Sequence, residues 1–292
     1  MKIYNLGSLN LDYVYAVDHF VTAGETLSSD ALAVLPGGKG LNQSVALARA
    51  GAAVIQGAVV GDQGDLLMET LAGAGVDISR IRHQAGSCGH AIIQVNRNGQ
   101  NCILLFPGTN ACVDEKYIEE FLADAEEGDI LLLQNEISGL EIAFETACAK
   151  GMRIAFNPSP FRTELLQLPL SCVTWWFCNE IEGAMLLGTE DPEEMARIFV
   201  QRFPQSCLIL TLGKSGSMLI REWCTIRQPA YRVAAVDTTA AGDTFTGYFL
   251  ATLTAGMGEA KAMEMASKAS ALAVTKPGAA ASIPVWDEVE SL

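Results

Sequence analysis

The sequence predicts an α/β fold with a mostly parallel central sheet and a small second sheet. Three observations predict it. Short apolar runs at Val54–Val60, Ile130–Gln134, Met152–Asn157 and Cys207–Leu212 are too short for ordinary helices and are bounded by Gly, Asp, Asn or Lys. Helix-like stretches lie between them, such as Asn42–Ala50 before Gly51 and Glu141–Ala149 before Lys150-Gly151. A glycine just past a helix suits the left-handed closing position. Strands alternating with helices imply βαβ units and a parallel sheet. Finally, residues 11–36 and 89–107 break that rhythm.

Residues 11–36 are irregular with strand-like alternation. Residues 89–107 read as a hairpin, in which Ala91, Ile93 and Val95 alternate with Ile92, Gln94 and Asn96. Asn98-Gly99 offers the tight turn, and Cys102–Phe106 returns. The two segments fit a small sheet acting as a substrate lid; they equally fit edge strands of the main sheet. Towards the C-terminus, Phe245, Phe249 and Leu253 recur at helical spacing over Ala241–Ala255, and Lys261–Thr275 is Ala-rich and helical by propensity.

Bulk properties narrow the function. A chain of 292 residues that is 50% hydrophobic has ample material for a core. A net charge of −15 excludes an extended nucleic-acid surface but not an anionic small molecule, which local amides and a lysine can bind. The eight cysteines form no C-x-x-C pair and read as small core residues of a reducing compartment. The three histidines show no metal spacing. The N-terminus enters a strand directly, without the basic start and apolar stretch of a signal peptide, and no apolar run is long enough to span a membrane. A cytoplasmic protein is expected.

The strongest chemical signal is Val236-Asp237-Thr238-Thr239-Ala240-Ala241-Gly242-Asp243-Thr244-Phe245. Small residues run straight into an amphipathic helix, leaving backbone N–H groups uncovered for an anion. Asp243 falls in the first turn, where a carboxylate can take a proton from a hydroxyl. A carboxylate there also stabilises a helix with no further role. Pro36-Gly37-Gly38-Lys39-Gly40-Leu41-Asn42-Gln43 brings a flexible backbone, a positive charge and amides together before another helix. It is not a Walker A loop, because the upstream glycine and the following Ser or Thr are absent, and the dinucleotide spacing fails at Gln43. Asn179-Glu180-Ile181-Glu182 follows a strand-like run and fits either water around Mg²⁺ or an acidic helix start. Asn10 and Asp12 fit sugar hydroxyls or simple turn chemistry.

In this order, the segments resemble the ribokinase family of sugar kinases (the PfkB group), from Gly7 to about Trp286. Gly37-Gly38-Lys39-Gly40-x-Asn42-Gln43 resembles the first family motif, and Asp237-Thr238-x-Ala240-Ala241-Gly242-Asp243-Thr244-Phe245 the second. The resemblance implies one domain over residues 1–292: a three-layer α/β sandwich with a β-sheet lid made by segments near 11–36 and 89–107. It implies that Asn10, Asp12, Gly38, Lys39, Asn42 and Glu136 hold the sugar, with Asp243 as base and Ala240, Ala241 and Gly242 as the anion hole. Asn179, Thr211, Gly213, Gly216 and Gly242 would serve ATP, and Glu182 would reach Mg²⁺ through water. Asp237, Thr239, Ala273, Lys276, Gly278 and Ser282 would surround a monovalent cation, K⁺, several of them through backbone carbonyls.

The expected reaction is therefore transfer of a phosphoryl group from ATP to a primary hydroxyl of an unphosphorylated sugar, ribose first, with nucleosides or other pentoses and hexoses as the alternative. Asp12 and Glu136 favour a neutral sugar by repelling a substrate phosphate. A catalytically silent binding protein on the same fold is the other class of reading. Leu41, Pro277, Ser267 and Phe106-Pro107-Gly108-Thr109-Asn110 depart from the family pattern, which bears on sugar identity more than on the reaction. An exposed lid sheet is also a candidate for homodimerisation by edge pairing.

Overall fold

A computed structural model describes residues 1–292. In chain order the strands are β1 (Ile3–Leu6), β2 (Asn10–Ala16), β3 (Ala31–Gly37), β4 (Val54–Gly57), β5 (Val59–Val60), β6 (Arg82–His83), β7 (Gly89–Val95), β8 (Asn101–Phe106), β9 (Ile130–Gln134), β10 (Arg153–Asn157), β11 (Val173–Asn179), β12 (Cys207–Thr211), β13 (Ser217–Arg221) and β14 (Cys224–Gln228). The helices are α1 (Lys39–Arg49), α2 (Asp65–Gly73), α3 (Glu115–Phe121), α4 (Leu140–Ala149), α5 (Glu180–Leu187), α6 (Pro192–Arg202), α7 (Ala241–Thr254), α8 (Glu259–Ala273) and α9 (Trp286–Glu290).

The main sheet has eight strands in the order β14-β13-β12-β11-β10-β9-β1-β4. From β4 to β12 every pairing is parallel; β13 and β14 add an antiparallel hairpin at one edge. Side chains alternate between the two faces of a strand. Ile130 and Leu132 join the core under α1, α7 and α8, while Leu131 and Leu133 join the core under α3 to α6. Both faces are covered, so these strands read as unbroken apolar runs. The result is the expected three-layer sandwich.

The small sheet is separate from the main one, in the order β3-β2-β7-β8, which decides between the two readings of segments 11–36 and 89–107. Its tip is set by Asn96, whose Oδ1 accepts from the backbone nitrogens of Asn98 and Gln100, with Gly99 at φ 74° completing the turn. Leu104 and Leu105 point to opposite faces of β8 yet are both exposed, so this strand is covered on neither side.

Two expectations need correction. Val54–Val60 is not one strand: β4 lies in the main sheet, and β5 leaves it to pair with β6. The Tyr117 hydroxyl accepts from the Ala58 nitrogen at 2.7 Å at the break, in place of a ladder bond. The cysteines are not all small core residues either. Cys102 and Cys224 are exposed, and Cys148 is disulfide-bonded to Cys172. The end of α4 and the turn before β11 bring their Cα atoms to 6.2 Å, a proximity that separation along the chain does not reveal. No helix is long and apolar enough to cross a membrane.

In the sheet, β1 lies between β4 and β9, so the strand order reverses there. Crevices in open α/β sheets form at the carboxyl ends of strands beside such a reversal. Gly7–Asn10 follows β1 and Asn135-Glu136 follows β9, so both expected sugar segments emerge at this point.

Candidate active site

Asp243 occupies the first turn of α7 and is buried. Ala240 precedes the helix in the left-handed region, at φ 60°, the only non-glycine residue there. The first bond closing the helix runs from the Thr244 nitrogen to the Ala240 oxygen at 2.8 Å. The Gly242 and Asp243 N–H groups precede that bond and lie at the positive end of the helix dipole. Both carboxylate oxygens of Asp243 are engaged from α1. Asn42 Nδ2 donates to Oδ2 at 3.0 Å, and Gln43 Nε2 donates to Oδ1 at 2.9 Å.

The glycine segment explains how α1 gets there. A side chain on Gly40 would stand 2.5 Å from the Gly7 carbonyl carbon and 2.6 Å from the Ser8 nitrogen, so the start of α1 lies directly on the turn after β1. Gly38 caps the helix at φ 94°, within reach of the Ser8 oxygen. Lys39 is thereby carried, half-buried, onto the wall of a cavity that Asp243 and Glu182 also line. Burial opposes its charge, but the Asp243, Glu136 and Glu182 carboxylates outweigh burial and hold its pKa above the ordinary value.

The four remaining residues expected to hold a sugar gather where the small sheet meets β1 and β9. The Glu136 carboxylate accepts from the Ser8 hydroxyl and from the Lys39 backbone nitrogen, the latter at 3.2 Å. Gly37 lies against the Asp12 carboxyl, and Gly38 lies beside the Asn10 nitrogen. Burial, and secondarily the Glu136 charge, push Asp12 up to about 7. Asp12 thus holds its proton more readily than an exposed aspartate, which weakens the repulsion of a substrate phosphate that its sequence suggests. Asn10 is oriented by Asn110, whose Nδ2 donates to Asn10 Oδ1 at 2.8 Å while its own Oδ1 accepts from the Leu9 nitrogen at 3.1 Å.

Lys39, Asn179, Glu182, Thr211, Ala240, Ala241, Gly242 and Asp243 face a common cavity of about 210 Å³. It adjoins a larger one of about 770 Å³, which Asn179, Thr211, Gly213, Gly216, Gly242 and Ser267 help to line. The larger cavity is of a size that takes a drug-sized ligand. Asn179 is at once a helix cap and a cavity residue. Its Oδ1 accepts from the Glu182 nitrogen, and Glu182 Oε2 accepts from the Asn179 nitrogen, a reciprocal capping box. The two readings of Asn-x-x-Glu are therefore compatible, because Glu182 Oε1 is outside that pair of bonds.

The residues expected around a cation lie in the loop before α7 and in the stretch from the end of α8 to Ser282, which Asp237 ties together. Its Oδ1 accepts from the Thr239 nitrogen at 2.9 Å, and its Oδ2 accepts from the Gly278 nitrogen at 2.9 Å. Burial opposes ionisation of Asp237, yet these bonds hold its carboxyl below the usual range. Within the same region the Ala273 oxygen accepts from the Lys276 nitrogen, and the Ser282 hydroxyl donates to the Ala279 oxygen. Lys276 directs its ammonium at Glu288, at 3.0 Å.

Sequence reasoning missed Ser8, Gln43, Asn110 and Gln134. Gln43 was visible as the neighbour of Asn42 on the same helix start, but nothing local says that both meet Asp243.

Residues 2–286 match the model of the pfkB family carbohydrate kinases. The chain is 35% identical to the ribokinase of Haemophilus influenzae, over 97% of this chain and 95% of that one. Among solved structures it is similar to the ribokinase of Thermotoga maritima, with a TM-score of 0.88 and 33% identity over 100% of this chain and 98% of that one. It is also similar to the ribokinase of Arabidopsis thaliana complexed with ribose and ATP, with a TM-score of 0.87 and 27% identity over 99% and 97%. With this coverage and with both glycine-bearing segments at one site, the chain belongs to the pfkB family of carbohydrate kinases.

Proposed function

We propose that this protein transfers the γ-phosphoryl group of ATP to the primary hydroxyl of ribose, giving ribose 5-phosphate and ADP. The observation that carries the reading is the position of Asp243. Its carboxylate is buried at the start of α7, beside uncovered N–H groups and on the cavity that also receives Lys39. Asp243 takes the hydroxyl proton as the oxygen attacks phosphorus. The amides of Gly242 and Asp243 and the Lys39 ammonium balance charge on the transferring group, while the Ala241 N–H donates to the Thr238 oxygen.

Ribose lies between the lid and β1, held by Asn10, Asp12, Gly38, Asn42 and Glu136. Asn42 Oδ1 is buried without a partner and is an acceptor for a sugar hydroxyl. The larger cavity takes the nucleotide, with Ser267 and Val274 among its lining and Thr211, Gly213 and Gly216 at the strand-end loop. Glu182 offers an oxygen ligand that suits Mg²⁺ held through water, and Mg²⁺ would neutralise phosphate charge. Asp237 and the surrounding loop carbonyls form an oxygen-only set that suits K⁺. The uncovered strand β8, with Ile103, Leu104, Leu105 and Phe106 exposed, is the surface through which two lids pair in a homodimer. The same reading places the enzyme in the cytoplasm, with its ATP.

The test is ADP release over a panel of sugars and nucleosides. Ribose is expected to give the highest kcat/KM, and Asp243→Asn is expected to lower kcat by roughly 10²-fold or more with near-normal sugar affinity. Binding of a sugar without turnover of any member of the panel would sink the reading.

A further inference from the structure

Five polar side chains behind Asp243 are fully buried: Asn5, Gln43, Ser44, Gln56 and Gln134, each with 0% exposure. They come from three adjacent strands, β1, β4 and β9, and from α1. Polar groups this deep in a sheet–helix interface cost stability unless satisfied. Any apolar set would cover the same surface more cheaply, so their arrangement calls for a reason.

The arrangement has a direction. Gln56 Nε2 donates to the backbone carbonyls of Gly57 at 2.8 Å and Gly7 at 3.4 Å. Carbonyls only accept, so they fix which end of the Gln56 amide faces them. Gln56 Oε1 consequently faces inward, where it accepts from the Ser44 hydroxyl at 2.6 Å and from Asn5 Nδ2 at 3.3 Å. Asn5 Nδ2 is held in the same sense by the Gly40 carbonyl at 2.8 Å. Asn5 Oδ1 then accepts from Gln134 Nε2 at 2.9 Å, and the same nitrogen donates to Gln43 Oε1 at 2.7 Å. With its oxygen occupied, Gln43 can only present Nε2 to Asp243. Reversing Gln134 or Gln43 alone sets oxygen against oxygen or nitrogen against nitrogen.

We propose that Gln134 and Gln43 form a positioning relay for Asp243: the amide chain anchored on the Gly7, Gly40 and Gly57 carbonyls forces the Gln43 nitrogen onto Oδ1, so that the carboxylate is held in one rotamer, facing the acceptor hydroxyl. The relay rests on the reading of Asp243 as the base. Gln43 touches the catalytic carboxylate, and Gln134 acts only through Gln43. Removing the Gln43 donor leaves Asn42 Nδ2 alone on the carboxylate and loosens its hold on one rotamer, which costs rate at the chemical step and leaves the sugar and nucleotide contacts in place.

The experiment is steady-state kinetics with ribose and ATP on Gln43→Met, Gln134→Met and the double variant. Gln43→Met is expected to lower kcat by about 10-fold or more, the effect of losing a hydrogen bond to a charged group. KM for both substrates should stay within about twofold, because ground-state binding is untouched. Gln134→Met should lower kcat less, and the double variant should match Gln43→Met, since residues acting through one another are not additive. Multiplicative losses in the double variant, or a wild-type kcat in Gln43→Met, would overturn the relay. Where a methionine variant does not fold, the isosteric Gln43→Glu replaces it. That change sets a second carboxylate against Asp243 and is expected to cost more than about 10-fold at neutral pH; a wild-type rate overturns the proposal equally. Asp243→Asn, assayed alongside, separates the two claims. Full activity in it removes the base itself, whereas a slow Asp243→Asn with an unaffected Gln43→Met removes only the relay.

Discussion

Gly247 on α7 lies against Ala46 on α1 so closely that a methyl group on the glycine would overlap the alanine side chain and stand 2.8 Å from the Leu47 nitrogen. One turn earlier on the two helices, Asp243 meets Asn42 and Gln43. The close approach of the helices and the seating of the carboxylate are one feature. Gly247→Val should destabilise the fold by about 1–3 kcal/mol through overpacking, measured by urea denaturation. It should also lower kcat by up to about 10²-fold by displacing Asp243. An unchanged kcat in a destabilised variant would show that the carboxylate is seated independently of this contact.

Ala240 is strained immediately before the start of α7. A left-handed conformation costs a residue with a Cβ about 1–2 kcal/mol, and costs glycine little. Ala240→Gly should therefore be neutral to stabilising by up to about 1 kcal/mol, the greater freedom of the unfolded glycine chain offsetting part of the relief. Ala240→Val should be destabilising, because a branched side chain fits that region worse. Denaturation midpoints of the three proteins check the order, and a less stable Ala240→Gly would contradict it.

Asp12 predicts a pH dependence with a definite sign. Its carboxyl ionises near 3.8 in an unfolded chain and at about 7 in the fold. Between those values the folded state keeps the proton, so this group makes stability fall as pH rises from about 4 to about 7, with no further loss above. Asp12→Asn removes that slope, and its stability relative to wild type should rise between pH 5 and pH 8. If ribose hydroxyls donate to Asp12, ribose binding near pH 7 should also release protons, which calorimetry in buffers of different ionisation enthalpy detects. A pH-independent stability difference would refute the assignment.

Asn110 predicts a split between binding and catalysis. It orients Asn10 and hydrogen-bonds to none of the residues that line the cavity beside Asp243. Asn110→Ala should raise KM for ribose by about 10-fold through loss of that orientation, with kcat changed by less than about threefold. A fall in kcat at unchanged KM would place Asn110 elsewhere in the mechanism.

The Asp237 loops predict cation activation. Rates should be higher in KCl than in the same concentration of tetramethylammonium chloride, and Asp237→Ala should abolish the difference. Equal rates in the two salts would indicate that Pro277 has altered the loop for this purpose.

Where local pattern sufficed, the sequence was informative to the residue. Ile130–Gln134 is a strand with the expected ends, and α7 begins at Ala241 as its apolar spacing implies. Val54–Val60 was misread because periodicity cannot show that Ala58 bonds a tyrosine from α3 instead of a strand. For the small sheet, alternation marks the strands and Asn98-Gly99 the turn, but sheet membership depends on β2 pairing with β7 across about eighty residues.

The sequence by itself determined the layered α/β body, the two glycine-bearing segments and the candidate base, because each rests on spacing within a few turns of chain. Tertiary structure alone decided what surrounds that base. Which side chains donate to Asp243, why the half-buried Lys39 keeps its charge, and why Asp12 is pushed up to about 7 all follow from groups brought together by the packing of α1, α7, β2 and β9. Electrostatics and hydrogen bonds act over a few ångströms in space, and a residue's distance from its partners along the chain carries no record of that proximity.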